Sequence, residues 1–249
     1  MIELSNVRKE FIAEDGRAHV ALDGVNLRVE PGELHALIGT SGCGKTTTLR
    51  LVNRLEAPTS GVVKVGGADV RDVDPIRLRR GIGYVIQTGG LFPHWSVARN
   101  VGALCELEEK PKDFVEARVR ELLTLVGMPP DDFARRMPRE LSGGQRQRVG
   151  IARALALDPA HLLLDEPFGA LDPITRADLI DELRPMLDEL GKTVLLVTHD
   201  LREAFALGHR VTLMDRGRVV QTGVERDFLE QPAAPFVARF VSGLGGSIR

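Results

Sequence analysis

Apolar runs rich in branched side chains alternate along the chain with longer stretches of helical periodicity, as expected for a mostly parallel sheet covered by helices. The pattern predicts strands at Glu33–Ile38, Val62–Val65, Ile82–Ile86, His161–Asp165, Thr193–Thr198, Arg210–Asp215 and Arg218–Thr222, and a helix at Thr46–Leu55. The opening reads differently. Ile2–Val7 and Val25–Val29 alternate apolar with polar positions, as an antiparallel flap on a sheet edge would. Between Gln87 and about Ala156 the strand pattern disappears. Helical stretches at Ala98–Leu107, Asp113–Gly127 and Arg146–Leu157 replace it, separated by Pro111 and by Pro129-Pro130. The expected organisation is one domain, 1–240: an α/β core with the β flap from 1–87 and 158–240, and an inserted helical subdomain at 88–157. Two short helices, Glu225–Gln231 and Ala234–Val241, broken by Pro232 and Pro235, lead to a frayed tail within 241–249.

Composition narrows the classes. A chain of 249 residues, 43% hydrophobic and 27% charged, can bury a sizeable core, and this composition disfavours disorder. The formal charge of −2 leaves no overall basic field for nucleic acid. No run reaches the roughly 18 to 20 consecutive apolar residues of a membrane span. Met1-Ile2-Glu3-Leu4-Ser5-Asn6 lacks the basic-then-apolar layout of a signal peptide. Cys43 and Cys105 make no disulfide framework, which fits a reducing cytosol.

Gly39-Thr40-Ser41-Gly42-Cys43-Gly44-Lys45-Thr46, followed by Thr47, is a G-x-x-x-x-G-K-[ST] string between a predicted strand and a predicted helix. Glycines there let backbone N–H groups turn inward on phosphate oxygens, and the helix N-terminus adds partial positive charge. Lys45 is expected to reach the β- and γ-phosphates, and the Thr46 hydroxyl to hold Mg²⁺. A chance glycine-rich turn is the competing reading, and the strand–loop–helix context disfavours it. The expected core is therefore that of a P-loop nucleoside triphosphatase.

His161–Asp165 runs into Glu166 and Pro167, which puts two carboxylates at the carboxyl edge of the sheet, where such folds bind ligands. Asp165 suits the Mg²⁺ shell, and Glu166 suits a general base for an attacking water. Alone, the pair would read as an ordinary polar strand end. His199 ends Thr193–Thr198 at the same edge and reads as a γ-phosphate sensor, with a structural histidine as the plainer option. Gln87 closes Ile82–Ile86 and can reach Mg²⁺ and the water, reporting both to the inserted helices.

Leu141-Ser142-Gly143-Gly144-Gln145 supplies a second anion site. Ser142 is a natural N-cap, and the glycines leave N–H groups uncovered at the head of the predicted helix Arg146–Leu157. Two phosphate sites in separate lobes imply a head-to-tail homodimer. Each nucleotide would lie between one chain's Gly39–Thr46 loop and the other's Ser142-Gly143-Gly144.

With Gly39–Thr46, Gln87, Leu141–Gln145, Leu162–Glu166, Ala170-Leu171-Asp172 and His199 in that order, roughly residues 1 to 240 resemble the ATP-binding cassette (ABC) ATPases. The resemblance implies the ABC ATPase fold, ATP and Mg²⁺ as ligands, and Ser142, Gly143, Gly144 and Gln145 on the nucleotide. It places Asp172 at the dimer seam, although Asp172-Pro173 also reads as an N-cap and first helical residue. It also implies a flap aromatic under adenine. Phe11 is the matching residue where tyrosine is more usual, and plain flap core is its other reading.

The stretch Gln87-Thr88-Gly89-Gly90-Leu91-Phe92-Pro93-His94-Trp95-Ser96-Val97 is similar to that of importer ATPases, where it meets transmembrane permease subunits. Leu91, Phe92 and Trp95 form an apolar patch for such a partner, or pack inside the helical subdomain. Tyr84-Val85-Ile86-Gln87 with Gly90–His94, and Val52-Asn53-Arg54-Leu55 with Pro58-Thr59-Ser60-Gly61, resemble the osmoprotectant importers of glycine betaine, choline and carnitine. Polar amino acid importers share Leu-Phe-Pro-His, so that solute class stays open. The resemblance implies a peripheral subunit on the cytoplasmic face of the membrane, with an extracytoplasmic solute-binding protein as an indirect partner. Many osmoprotectant ATPases carry C-terminal CBS domains; none is expected within these 249 residues, so ionic-strength sensing by that route is expected to be absent or to lie elsewhere. Soluble ABC proteins of ribosomes or DNA repair are disfavoured by the single cassette and the near-neutral charge. Leu141–Gln145 argues against P-loop kinases and GTPases, and Lys45, Glu166 and His199 against an inactive binding module.

Overall fold

A computed structural model describes residues 1–14, 16–87 and 90–243. The first elements are β1 (Ile2–Ile12), β2 (Ala18–Val29), β3 (Leu34–Gly39), α1 (Lys45–Val52), β4 (Ser60–Val65), β5 (Ala68–Asp69), α2 (Pro75–Arg80) and β6 (Ile82–Val85). Helices α3 (Val97–Leu107), α4 (Lys112–Leu125), α5 (Pro130–Phe133) and α6 (Gly143–Ala154) follow. The chain continues through β7 (His161–Asp165), α7 (Pro173–Leu190), β8 (Thr193–Val197), α8 (Leu201–Leu207), β9 (Arg210–Asp215), β10 (Arg218–Gly223), α9 (Glu225–Glu230) and α10 (Pro235–Ser242). These elements form two compact units: Met1–Arg79 with Gly191–Arg249, and Arg80–Leu190. Among the described residues no helix is long and apolar enough to cross a membrane.

In the first unit β3 pairs in parallel with β8 on one side and β9 on the other, and β10 returns antiparallel to β9. Every residue of β3 and β8 is buried, which explains why both read as continuous apolar runs. The flap is an antiparallel sheet in the order β2-β1-β4-β5. Its hairpin is much longer than the alternating segments predict, with pairing from Ile2 opposite Val29 to Ile12 opposite Ala18. Ion pairs line its polar part: Arg8 pairs with Asp23 of β2 at 2.7 Å, and Lys9 with Glu56, in the loop before β4, at 3.0 Å. The strand predicted at Val62–Val65 joins this flap, with Val65 opposite Ile2.

In the second unit β6 and β7 pair in parallel, and helices α3, α4 and α6 pack together. Val101, Cys105, Leu122, Leu123, Val149 and Ile151 fill that core. Helix α6 starts at Gly143 and ends at Ala154, earlier at both ends than the predicted Arg146–Leu157. Helix α7 buries Leu179, Ile180, Leu183, Met186 and Leu187 on one face despite the internal Pro185. In the first unit's C-terminal segment Pro235 opens α10 instead of breaking it, since proline suits the first helical turn. Of the predicted tail, residues 244–249 lie outside the described residues, as do Thr88 and Gly89.

A chain of polar side chains runs from the interior of the first unit out to exposed Thr222. Buried His35 has Nδ1 3.0 Å from Glu33 Oε1 and Nε2 2.7 Å from Thr212 Oγ1, and Thr212 is 2.7 Å from the Thr222 hydroxyl. Thr212→Val keeps the shape but removes the hydroxyl that joins His35 to Thr222. Unsatisfied buried groups cost about 1–3 kcal/mol, so denaturant unfolding should report a loss of that size. Unchanged stability would contradict a structural role for the chain of bonds.

Candidate active site

The phosphate loop lies in the first unit, between the end of β3 and the start of α1. Gly39 has φ 149°, and a Cβ there would stand 2.2 Å from the Met214 carbonyl oxygen. Gly44, the N-cap of α1, has φ 107°, and its Cβ would meet Leu22 Cδ2 at 2.5 Å. Both positions therefore exclude any side chain. Thr40, Ser41 and Gly42 form the exposed tip, and Thr46 and Thr47 are half-buried in the first turn of α1. Lys45 is buried, its ammonium donating to the Gly39 carbonyl at 2.8 Å and the Thr40 carbonyl at 3.1 Å. Cys43 fills the floor of the loop, and burial pushes its thiol up, keeping it protonated at neutral pH.

The carboxylates sit in the second unit. Asp165 is the last residue of β7, buried, and its Oδ2 accepts from the Tyr84 hydroxyl at 3.2 Å. Glu166 follows with φ 45°, a left-handed backbone that costs a non-glycine residue about 1–3 kcal/mol and is found at functional sites. The Gln87 amide donates to Glu166 Oε2 at 2.7 Å. The structure thus joins two residues that the sequence singles out separately. It adds Tyr84, a partner that no spacing rule links to Asp165.

Ser142 caps α6 in a capping box. Its hydroxyl accepts from the Gln145 N–H at 3.2 Å, and the Gln145 side chain accepts from the Ser142 N–H at 2.9 Å. Gly143 and Gly144 are then the first helical residues, at the positive end of the helix. The exposed Asp172 carboxylate accepts from the N–H groups of Ile174 at 3.2 Å and Thr175 at 3.1 Å. Hydrogen bonding from Thr175 holds it below the usual carboxylate range, in keeping with the local N-cap reading. His199 is exposed just after β8.

Phe11 is half-buried on β1, with the Lys9 ammonium 4.6 Å from its ring centroid, and lies outside the buried flap core of Ile2, Leu4 and Val7. The patch after Gln87 is partly outward. Phe92 is 46% exposed, its ring centroid lies 4.2 Å from that of half-buried Trp95, and the Arg99 guanidinium covers Trp95 at 4.2 Å. Buried Asn100 holds this loop by accepting from the Phe92 N–H at 2.8 Å and donating to the carbonyls of Phe92, Trp95 and Ser96.

A family model described as ABC transporter matches residues 22–169. The chain is 45% identical over 241 residues to the osmoprotectant import ATP-binding protein OsmV of Salmonella typhimurium, covering 97% of this chain and 63% of that one. It is 46% identical over 241 residues to the choline transport ATP-binding protein OpuBA of Bacillus subtilis, covering 97% and 62%. The chain thus spans less than two thirds of the length of these relatives. A solved dimeric, post-hydrolysis structure of the ATP-binding cassette MJ0796 with ADP and Pi superposes with a TM-score of 0.80 at 35% identity, covering 90% of this chain and 98% of that chain.

A lysine that contacts phosphate makes charge-assisted hydrogen bonds worth about 1.5–3 kcal/mol. Lys45→Ala should therefore lower affinity for ATP by about tenfold or more in a fluorescent-nucleotide titration. Wild-type affinity would remove the loop from nucleotide binding.

Proposed function

Because the chain belongs to the ABC transporter family, we propose that it is the ATP-hydrolysing subunit of an importer for osmoprotectants of the quaternary-amine class, such as glycine betaine, choline or carnitine. The observation that carries the hydrolytic part is the Gln87 amide on the Glu166 carboxylate, at 2.7 Å. A general base needs a fixed orientation, and this amide supplies it. A carboxylate accepts hydrogen bonds at both oxygens, so the contact does not consume its capacity to take a proton from water.

In this reading Lys45 binds the β- and γ-phosphates, and Glu166 takes the proton of the water that attacks the γ-phosphorus in line. His199 contacts the γ-phosphate. Ser142, Gly143, Gly144 and Gln145 close on the nucleotide of a second copy, with Asp172 at the seam of a head-to-tail homodimer. Phe11 stacks on adenine. The donors proposed for Mg²⁺ are the Thr46 hydroxyl, the Gln87 amide oxygen and the Asp165 carboxylate. Hard oxygen donors of this kind fit Mg²⁺, which takes few protein ligands and leans on substrate phosphates. Bound Mg²⁺ would neutralise phosphate charge.

The solute class rests on the similarity to relatives named for osmoprotectant import and choline transport, together with the Gly90–His94 segment. Exposed Phe92 beside Trp95 offers an apolar surface to transmembrane permease subunits, which would hold the chain at the cytoplasmic face of the membrane. The extracytoplasmic solute-binding protein would act only through those subunits. Closure and reopening of the dimer would switch them between inward- and outward-facing states.

Glu166→Gln removes the base and keeps the size of the side chain. ATP affinity should stay within about threefold while turnover falls by about a hundredfold or more, the scale of general-base catalysis. In ATP the variant should elute as a dimer. A monomer turning over at the wild-type rate would refute the assignment.

A further inference from the structure

The turn that carries His199 is tied from beneath by residues outside every motif considered above. The Thr198 hydroxyl accepts the Asp200 N–H at 3.0 Å and donates to the Glu203 carboxylate. Thr198 is 1% exposed and Glu203 3% exposed, whereas His199, the residue after Thr198, is open to solvent. Asp200 is the N-cap of α8 and Glu203 its third residue. In an ordinary capping box that glutamate would accept from the N-cap N–H directly. Here the N–H goes to the Thr198 hydroxyl, and the glutamate takes the hydroxyl proton instead.

The inserted hydroxyl spans His199, because it joins residue 198 to residue 200 across it. The other side of the turn is equally bound. The Asp200 carboxylate accepts from the Arg202 N–H at 2.8 Å, and the Asp200 carbonyl accepts from the Ala204 N–H at 3.2 Å. The Thr198 N–H donates to the Leu37 carbonyl of β3 at 3.2 Å, so the relay is anchored to the strand that leads into the phosphate loop. A buried carboxylate is costly without hydrogen-bond donors, and the start of a helix is the setting that favours one. A surface serine would have capped α8 without burying a charge.

We infer that Thr198 and Glu203 are positioning residues that set the backbone, and thereby the imidazole direction, of His199. The inference rests on the reading of His199 as the γ-phosphate contact. Neither residue touches nucleotide in this account. Losing the relay therefore lowers kcat and leaves ATP binding largely in place.

The test uses the full chain with two independent readouts. In Thr198→Val and Glu203→Ala, kcat for ATP should fall at least tenfold with KM within about twofold. Thr198→Ser and Glu203→Gln, which keep the donor and an acceptor, should recover at least half of the wild-type rate. The second readout is the His199 imidazole resonance in NMR spectra of the folded variants, assigned by its loss in His199→Ala. It should shift or split in Thr198→Val and Glu203→Ala and return to the wild-type position in Thr198→Ser and Glu203→Gln. An unmoved resonance in Thr198→Val and Glu203→Ala overturns the inference. If His199→Ala turns over at the wild-type rate, the role of His199 in hydrolysis fails, while the resonance still reports whether the relay aims it. If Glu203→Ala does not fold, Thr198→Val and Glu203→Gln decide the matter by the same resonance.

Discussion

Lys45 carries a full positive charge into a place that water scarcely reaches, and such a charge is tolerated only when acceptors surround it. The carbonyls of Gly39 and Thr40 meet that demand at 2.8 and 3.1 Å. They can do so because the chain turns through backbone angles open only to glycine at Gly39 and Gly44. The loop in turn requires a strand ending at Gly39 and a helix beginning at Lys45. Strands β8 and β9 flank that strand on both sides and leave it no exposed edge. The apolar character of β3 and the glycines of the loop are thus two consequences of one requirement: a buried cation must be surrounded by acceptors, and in the proposed role that cation would meet phosphate.

The second unit solves a complementary problem with carboxylates and helix ends. Asp165 is buried and takes a hydrogen bond from Tyr84, while Glu166 is turned by a left-handed backbone toward the Gln87 amide. Gln87 starts the segment that Asn100 pins and on which Phe92 and Trp95 are displayed. In the proposed role, a partner bound at Phe92 and Trp95 would sit a few residues along the chain from the Gln87 amide that holds the Glu166 carboxylate. Ser142 and Gln145 satisfy each other's backbone groups, which leaves the glycine-led start of α6 rigid as well as positive.

Much of this is legible in the residues. The strands β3, β7, β8 and β9 are apolar on both faces, so their limits fall within a residue of the expected ones. The flap hairpin exceeds its expected length because Arg8, Lys9 and Glu10 break the alternation, and ion pairs to Asp23 and Glu56 carry the strand past them. Helix α6 begins earlier than expected because two glycines lower helix propensity, and the Ser142–Gln145 box outweighs that penalty. Phe92 is 46% exposed, although Trp95 and the Arg153 guanidinium cover part of its ring. Long-range pairs are another matter. Tyr84 with Asp165, Gln87 with Glu166 and His35 with Thr212 join residues far apart in the chain, and no local pattern encodes which strand ends will meet. The hydrogen bond from Thr198 to Glu203 likewise has no counterpart in the sequence pattern, where Thr198 reads only as the end of a strand.

The proposed role is that of a motor for quaternary-amine uptake. The most direct test is uptake of labelled glycine betaine at high osmolarity, in cells devoid of other betaine systems, with and without expression of this chain beside its membrane subunits. The account predicts saturable uptake that appears only with the chain and is competed by unlabelled choline or carnitine. Equal uptake in both cells, with the chain confirmed at the membrane, would contradict it.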